Sequence, residues 1–276
     1  MYETNIKIAE LIEAAKTESL SSGGKKAKVV LIVGDPNTGK SVSGCTFPKD
    51  MFVFDFDGDG IESARNAKDK SGNLIVSDYN RIQSISFIKS KTYKLDFRTS
   101  FKGKMAPAHT QEAGILINKF NDVLESIQPN QFRTIMIDSL TSMFRLWKEA
   151  ILFMNQQPHL QIQDYITLEN VLYSQFIPSL KALPVDYVLL IDHTNIDKDE
   201  ISGKVSEFPV GPSVAMGRIM PQVFSEVWRQ DVIGGNFVWR TRDNGLFVGA
   251  GSRSHFPEII DPATYQQLKK LNPNIP

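Results

Sequence analysis

The chain has 276 residues, 41% of them hydrophobic and 22% charged, and its 31 basic and 31 acidic side chains cancel to zero formal charge. This is an ordinary globular composition, long enough for one large α/β domain or two small ones. It excludes a dedicated, strongly basic DNA-binding module, so any nucleic-acid role must come from a local patch or a multimer. No uninterrupted apolar stretch is long enough to span a bilayer.

In chain order, Asn5 to Leu20 reads as an amphipathic helix, with Ile8, Leu11, Ile12 and Ala15 at helical spacing. Glu3, Glu10, Glu13 and Glu18 argue against a secretory signal. Ser21-Ser22-Gly23-Gly24 is a flexible break, so residues 1–24 read as an N-terminal helix and linker ahead of a main domain over 25–276. Val29 to Val33 is apolar and β-branched without alternation, as in a parallel strand buried on both faces. It runs into Gly34-Asp35-Pro36-Asn37-Thr38-Gly39-Lys40-Ser41, which fits the phosphate-binding loop pattern in full. By chance that pattern occurs in roughly one in a hundred chains of this length, and the strand upstream lowers the odds further. Loop amides from Gly34 to Val42 would form an anion nest at a helix N-terminus. Lys40 would reach the β- and γ-phosphates and the Ser41 hydroxyl would bind Mg²⁺, implying a nucleoside triphosphate and magnesium. The single cysteine, Cys45, falls on the following helix as a small buried residue; it permits no internal disulfide and fits a cytoplasmic setting.

Met51 to Phe54 is a short strand entering Asp55-Phe56-Asp57-Gly58-Asp59-Gly60. The acids invite a calcium-loop reading, but no bidentate Glu follows at the required offset; Glu62 comes too early. Leu74 to Val76 reads as a second strand. Arg81 to Lys104 carries Arg81, Lys89, Lys91, Lys94, Arg98, Lys102 and Lys104 against Asp96 alone, with Tyr93, Phe97 and Phe101 interleaved. Bases plus rings suit single-stranded nucleic acid; a half-buried hairpin around Tyr93–Phe97 with a basic outer face is the competing reading. A helix is expected over Thr110–Ile127, then a buried strand, Phe132 to Ser139, closed by Asp138. Placed beside the loop strand, Asp138 would orient the metal. Helices over Leu140–Met154 and Asp164–Leu183 follow, the second interrupted by Pro178. Val185 to Asn195 is another buried strand, ending in Asp192-His193-Thr194-Asn195. Asp197 to Pro212 reads as a polar, mobile loop and Val214 to Phe224 as a short helix broken at Pro221. Three strands over Glu226–Val232, Asn236–Arg242 and Leu246–Ala250 form an antiparallel meander joined by Gly234-Gly235 and Asp243-Asn244-Gly245. Four strands thus end in polar groups on one rim, the place where open α/β sheets bind ligands. His109, His159, His193 and His255 are scattered, with no metal cluster at ligand spacing.

From Lys28 to Pro262 the chain resembles the RecA-like ATPases, and in particular the short phage-encoded RecA-core proteins of single-strand annealing and recombination. The resemblance implies a RecA-like P-loop NTPase core: a mostly parallel central sheet flanked by helices, with the C-terminal antiparallel meander. It aligns Asp57 with the acid that polarises the attacking water, where the family usually has Glu. His193 matches the γ-phosphate sensor, and Asn195 to Met216 the DNA-contacting loop. Arg240 and Arg242 match subunit-bridging basic residues, with Arg253 a third candidate. It further implies ATP and Mg²⁺, a homo-oligomeric ring or filament, and single-stranded DNA and a single-strand-binding protein as partners, in the host cytoplasm if phage-encoded. A motor or loader ATPase of phage replication or packaging, with the same core, and a P-loop small-molecule kinase remain as alternatives.

Overall fold

A computed structural model describes residues 26–58, 61–89, 107–157, 159–200 and 203–276. The helix expected over Asn5–Leu20 and the hairpin expected around Tyr93–Phe97 lie outside them. The described chain builds one ten-stranded sheet. Its parallel part consists of β1 (Lys28–Gly34), β2 (Met51–Asp55), β3 (Ile82–Ser86), β4 (Thr134–Asp138), β5 (Tyr187–Lys198) and β7 (Glu226–Ile233). Across the sheet the order is β10-β8-β7-β1-β5-β4-β2-β3, with β1 parallel to both β5 and β7. The antiparallel remainder is β6 (Val205–Pro209) on β5, β8 (Asn236–Arg240) and β9 (Gly251–Ser252) on β7, and β10 (Ile259–Ile260) on β8. The expected α/β architecture, mostly parallel with antiparallel strands at the C-terminus, is therefore present.

The unbroken apolar runs of the central strands are explained by what lies on each face. Val29, Leu31 and Val33 of β1 enter one core, while Val30 and Ile32 enter the other. The first core is roofed by α3 (Pro107–Glu125), α4 (Leu140–Met154) and the helical stretch α5 (Ile162–Asn170) to α6 (Ile177–Ala182). The second is covered by α1 (Lys40–Gly44), α2 (Glu62–Arg65) and α8 (Tyr265–Leu271), with Phe47 edge-on to Tyr187 at 5.1 Å. A strand covered on both sides has no solvent face and so shows no alternation.

Several local expectations differ from what forms. Leu74 is 52% exposed and makes only an isolated bridge to Lys68, so Leu74–Val76 is not a strand. The sheet edge is instead β3, whose half-buried Ile82 and Ile85 pair with Met51 and Phe54. The third strand expected over Leu246–Ala250 is irregular, with Phe247 alone buried; β9 and β10 supply the remaining pairings. The loop expected from Asp197 is largely ordered, since β5 continues to Lys198 and pairs with β6 from Thr194↔Pro209 to Lys198↔Val205. Pro178 does not interrupt the long helix. The turn before it, Val171–Phe176, widens to a π-helix, and α6 restarts with proline in its first turn, where no amide donor is needed. α7 (Val214–Ile219) then closes in a 3-10 turn, Met220–Val223, around Pro221. Among the described residues, no helix is long and apolar enough to cross a membrane.

Candidate active site

The rim at the C-terminal ends of β1, β5, β4 and β2 gathers the predicted residues. After β1 the chain turns through Asn37 at φ 64° and Gly39 at φ 80°, both left-handed, and enters α1 at Lys40. Glycine is required at 39 twice over. Its backbone favours no L side chain, and a Cβ there would lie 2.5 Å from a ring carbon of Phe237 on β8. Gly34 is equally enclosed, by the Gln230 carbonyl oxygen at 2.6 Å from a built Cβ. Thr38 Oγ donates back to the Asp35 carbonyl at 2.8 Å, bracing the turn.

Lys40 is buried, and its ammonium donates to the carbonyls of Gly34 (2.9 Å) and Asp35 (2.8 Å). Burial lowers its pKa, opposed by the carboxylates of Asp138, Asp192, Asp35 and Asp57 around it. Ser41 Oγ donates to Asp138 Oδ2 at 2.5 Å, which brings both expected magnesium ligands together. One element of the expectation is corrected here: β4 does not adjoin β1. β5 lies between them, and Asp138 reaches the loop because it sits at the very end of its strand, in register with Ile191 of β5 and Asp55 of β2. Burial pushes the Asp138 carboxyl up to about 6.

Asp57 lies two residues past β2. Asp55 Oδ1 accepts the amides of Asp57 (3.1 Å) and Gly58 (2.6 Å), so the backbone there is fixed by that acid. Asp57 Oδ1 accepts hydrogen bonds from Ser139 Oγ at 3.0 Å and from Ser142 Oγ; its Oδ2 faces His193 Nε2 at 3.9 Å. Burial pushes Asp57 up, but the His193 imidazole facing it and the hydrogen bonds from Ser142 and Ser139 outweigh it and leave the carboxyl below its ordinary value. Behind His193, Asp192 is completely buried and accepts from Thr141 Oγ (2.6 Å) and the His193 amide (2.9 Å). Burial raises its carboxyl to about 8.

Sequence reasoning puts Ser139 on the rim but misses Thr141 and Ser142, although the hydroxyls that follow Asp138 so closely are a visible signal. It also misses Arg229 and Phe237 on the hairpin. Arg229, 7% exposed, reaches Asp35 of the loop (3.3 Å), Glu207 of β6 (3.0 Å) and Asp231 (3.3 Å). Asp35 is held further by the Thr194 hydroxyl, the main cause of its lowered pKa. Cys45 is buried and its thiol is pushed up to about 12, an inert packing residue.

The three candidate bridging arginines are not grouped. Arg240 is paired with Asp231 at 2.6 Å. Arg242 is exposed on the chain leaving β8. The Arg253 amide bonds the Ser225 carbonyl, just ahead of β7, which places it at the opposite edge of the sheet from the phosphate loop. Of the basic stretch, Arg81 pairs with Asp50 and Lys89 with Glu149; Lys91 to Lys104 lie outside the described residues.

The donor set suits the groups a phosphate loop takes. Ser41 and Asp138 are hard oxygen donors in contact, and Mg²⁺ is usually held by one or two protein oxygens plus phosphate and water. Among the described residues no cluster of three or more His, Cys, Asp or Glu that could hold a metal ion occurs. No curated protein matches the chain. The family model described as an AAA domain matches residues 26–244, most of the sequence and all of the site above. The chain therefore belongs to the AAA domain family, a P-loop ATPase-like domain.

Proposed function

We propose that this protein is an ATP-binding, Mg²⁺-dependent ATPase of RecA-like type that assembles head to tail and binds single-stranded DNA in phage recombination or annealing. The observation that carries the nucleotide half is the 2.5 Å contact between Ser41 and Asp138, 97 positions apart in the chain. An isolated glycine turn has no reason to recruit a buried carboxylate from two strands away. Lys40 would leave its carbonyl partners for the phosphates, and its charge offsets theirs. Bound Mg²⁺ would supply Lewis-acid polarisation of the terminal phosphate. Asp57 Oδ2, the oxygen not tied to serine hydroxyls, accepts a proton from water, and His193 beside it takes the sensor role. Arg240, Arg242 or Arg253 of a neighbouring copy is the candidate bridging residue; Arg253 can serve only where one copy's lower sheet edge meets the next copy's site.

The DNA half is supported by placement. β3, itself within the basic and aromatic stretch from Arg81 to Lys104, is parallel to β2, so the chain leaves it on the site rim a few residues ahead of Lys89. The β5–β6 hairpin leaves the same rim directly after His193. Anisotropy with labelled oligonucleotide at moderate salt tests this half: ATP-dependent binding to single strands over duplex is expected, and its absence sinks it. For the first half, Lys40→Ala is expected to lose turnover; a variant that hydrolyses ATP at the wild-type rate overturns it.

A further inference from the structure

We propose that Ser142 is a positioning residue for Asp57, clamping one carboxylate oxygen so that the short acid presents the other to the attacking water. The inference rests on the reading of Asp57 as the group that activates water and deepens it by naming what holds that group in place.

The first turn of α4 carries three hydroxyls in four residues, Ser139, Thr141 and Ser142. Each has a different duty. Ser139 is the N-cap: its oxygen accepts the Ser142 amide at 3.4 Å while its own hydroxyl donates to Asp57. Thr141 donates to Asp192. Ser142 occupies the third helical position, from which a polar side chain ordinarily reaches back to the N-cap amide. Its hydroxyl instead crosses to Asp57, 85 positions away in sequence. The helix is already capped, so this bond does nothing for α4.

For Asp57 it does a great deal. The Asp55 carboxylate pins the backbone at Asp57 and Gly58, leaving only the side-chain torsions of Asp57 to be set. Two hydroxyls converging on Oδ1 fix the plane of the carboxylate and turn Oδ2 toward His193. The other charged groups near it, Lys40 on α1 and Asp138 on β4, act through space without a hydrogen bond to it. A longer acid could reach water with its torsions loose. A short one has little reach to spare, so orientation must be supplied from outside, and misplacement of a reacting group by about 1 Å can cost 10²-fold in rate.

Steady-state ATP turnover by the full chain tests this, with Ser142→Ala, Ser142→Thr and Asp57→Asn measured together. Ser142→Ala should lower kcat on the order of 10-fold while KM stays within about 2-fold, because the hydroxyl acts on the water-activating group and not on bound nucleotide. Ser142→Thr keeps a hydroxyl and should recover most of kcat. Should the alanine variant not fold, Ser142→Cys, with its weak thiol donor, carries the same expectation. An unchanged kcat in Ser142→Ala, or a threonine variant as slow as alanine, overturns the proposal. Asp57→Asn separates the two layers. If it is inactive while Ser142→Ala is not slowed, only the role of Ser142 falls. If it turns over at the wild-type rate, the reading of Asp57 falls and takes this inference with it.

Discussion

On one side of β1, strands β5 and β4 are apolar up to a closing acid, and the acids there and just past β2 are met by hydroxyls: Asp192 by Thr141, Asp138 by Ser41, Asp57 by Ser139 and Ser142. On the other side, β7 carries Glu226, Arg229, Gln230 and Asp231 within the strand, and its charges are met by opposite charges or ring donors. The difference is chemical. A hydroxyl–carboxylate contact can be exchanged for a metal ion or water with the carboxylate still satisfied, so that at most one hydrogen bond to a charged group, about 1.5–3 kcal/mol, is given up. A buried guanidinium among three carboxylates cannot be opened without stranding charge, which typically costs about 3–5 kcal/mol. On the first flank the Ser41–Asp138 contact can open around a ligand while the hydroxyls on Asp57 keep that acid oriented; the second flank holds the loop's outer edge still through Asp35.

Arg229→Met should break that comparison hardest. It leaves Asp35, Glu207 and Asp231 facing one another with their shared cation gone, and burial already pushes the Glu207 carboxyl up. A loss of about 3 kcal/mol or more is expected in urea unfolding. Ser41→Ala, which removes one hydrogen bond to a buried carboxyl on the opposite flank, should cost less in the same experiment, about 1–2 kcal/mol. Equal losses from the two would erase the distinction. Next in size, Lys40→Ala should weaken binding of a fluorescent ATP analogue by at least about 10²-fold, the scale of removing one preorganised cationic or donor group. Its melting temperature should hardly move, since the lysine's present partners are loop carbonyls that water can satisfy.

How much of this was legible before folding follows from the same contrast. The hydroxyl-lined flank was readable because its strands are covered on both faces and because the loop motif, Asp138 and His193 are each set by local order along the chain. The spacing could not show that β5 intervenes between β1 and β4, because strand order depends on crossovers and not on any one segment. The charged flank was opaque. Glu226-Val227-Trp228-Arg229-Gln230-Asp231 reads as the first strand of a meander, and two of the partners of Arg229, Asp35 and Glu207, are 194 and 22 positions away from it. Ser142 was hidden for another reason: a serine in a helix's first turn already has a sufficient local explanation. β3 was missed because Ile82-Gln83-Ser84-Ile85-Ser86 is only half-buried, and such an edge needs few apolar residues.

A further expected effect concerns Asp192, the deepest acid of the hydroxyl-lined flank. Its folded carboxyl is raised by burial to about 8, against 3.8 when unfolded. The folded protein therefore holds a proton that the unfolded chain has released over that interval. Stability from this group is full below the unfolded value and is lost as pH rises toward about 8, by at most about 1.4 kcal/mol per pH unit. Asp138, raised to about 6, acts with the same sign but has finished by then. Asp35 and Asp57, whose carboxyls sit below 3.8, have gained their full contribution well before pH 6. Above pH 7, where Asp138 has largely ionised, the difference between wild type and an Asp192 variant reports Asp192. In nucleotide-free protein the wild type should lose stability over that range, and Asp192→Asn, which keeps an acceptor for the Thr141 hydroxyl but cannot ionise, should follow a flatter line. Lys40, lowered from 10.5, pushes the other way at the upper end, and because the Asp192 carboxylate is one of the charges that holds it up, its share is read from Lys40→Met and from Lys40→Met with Asp192→Asn measured beside the first pair. If the two slopes coincide, Asp192 is ionised in the fold and paired with Lys40 at rest. The hydroxyl-lined flank would then hold a buried ion pair of the kind assigned to the other side of β1, and opening it for phosphate would cost what opening the Arg229 cage costs.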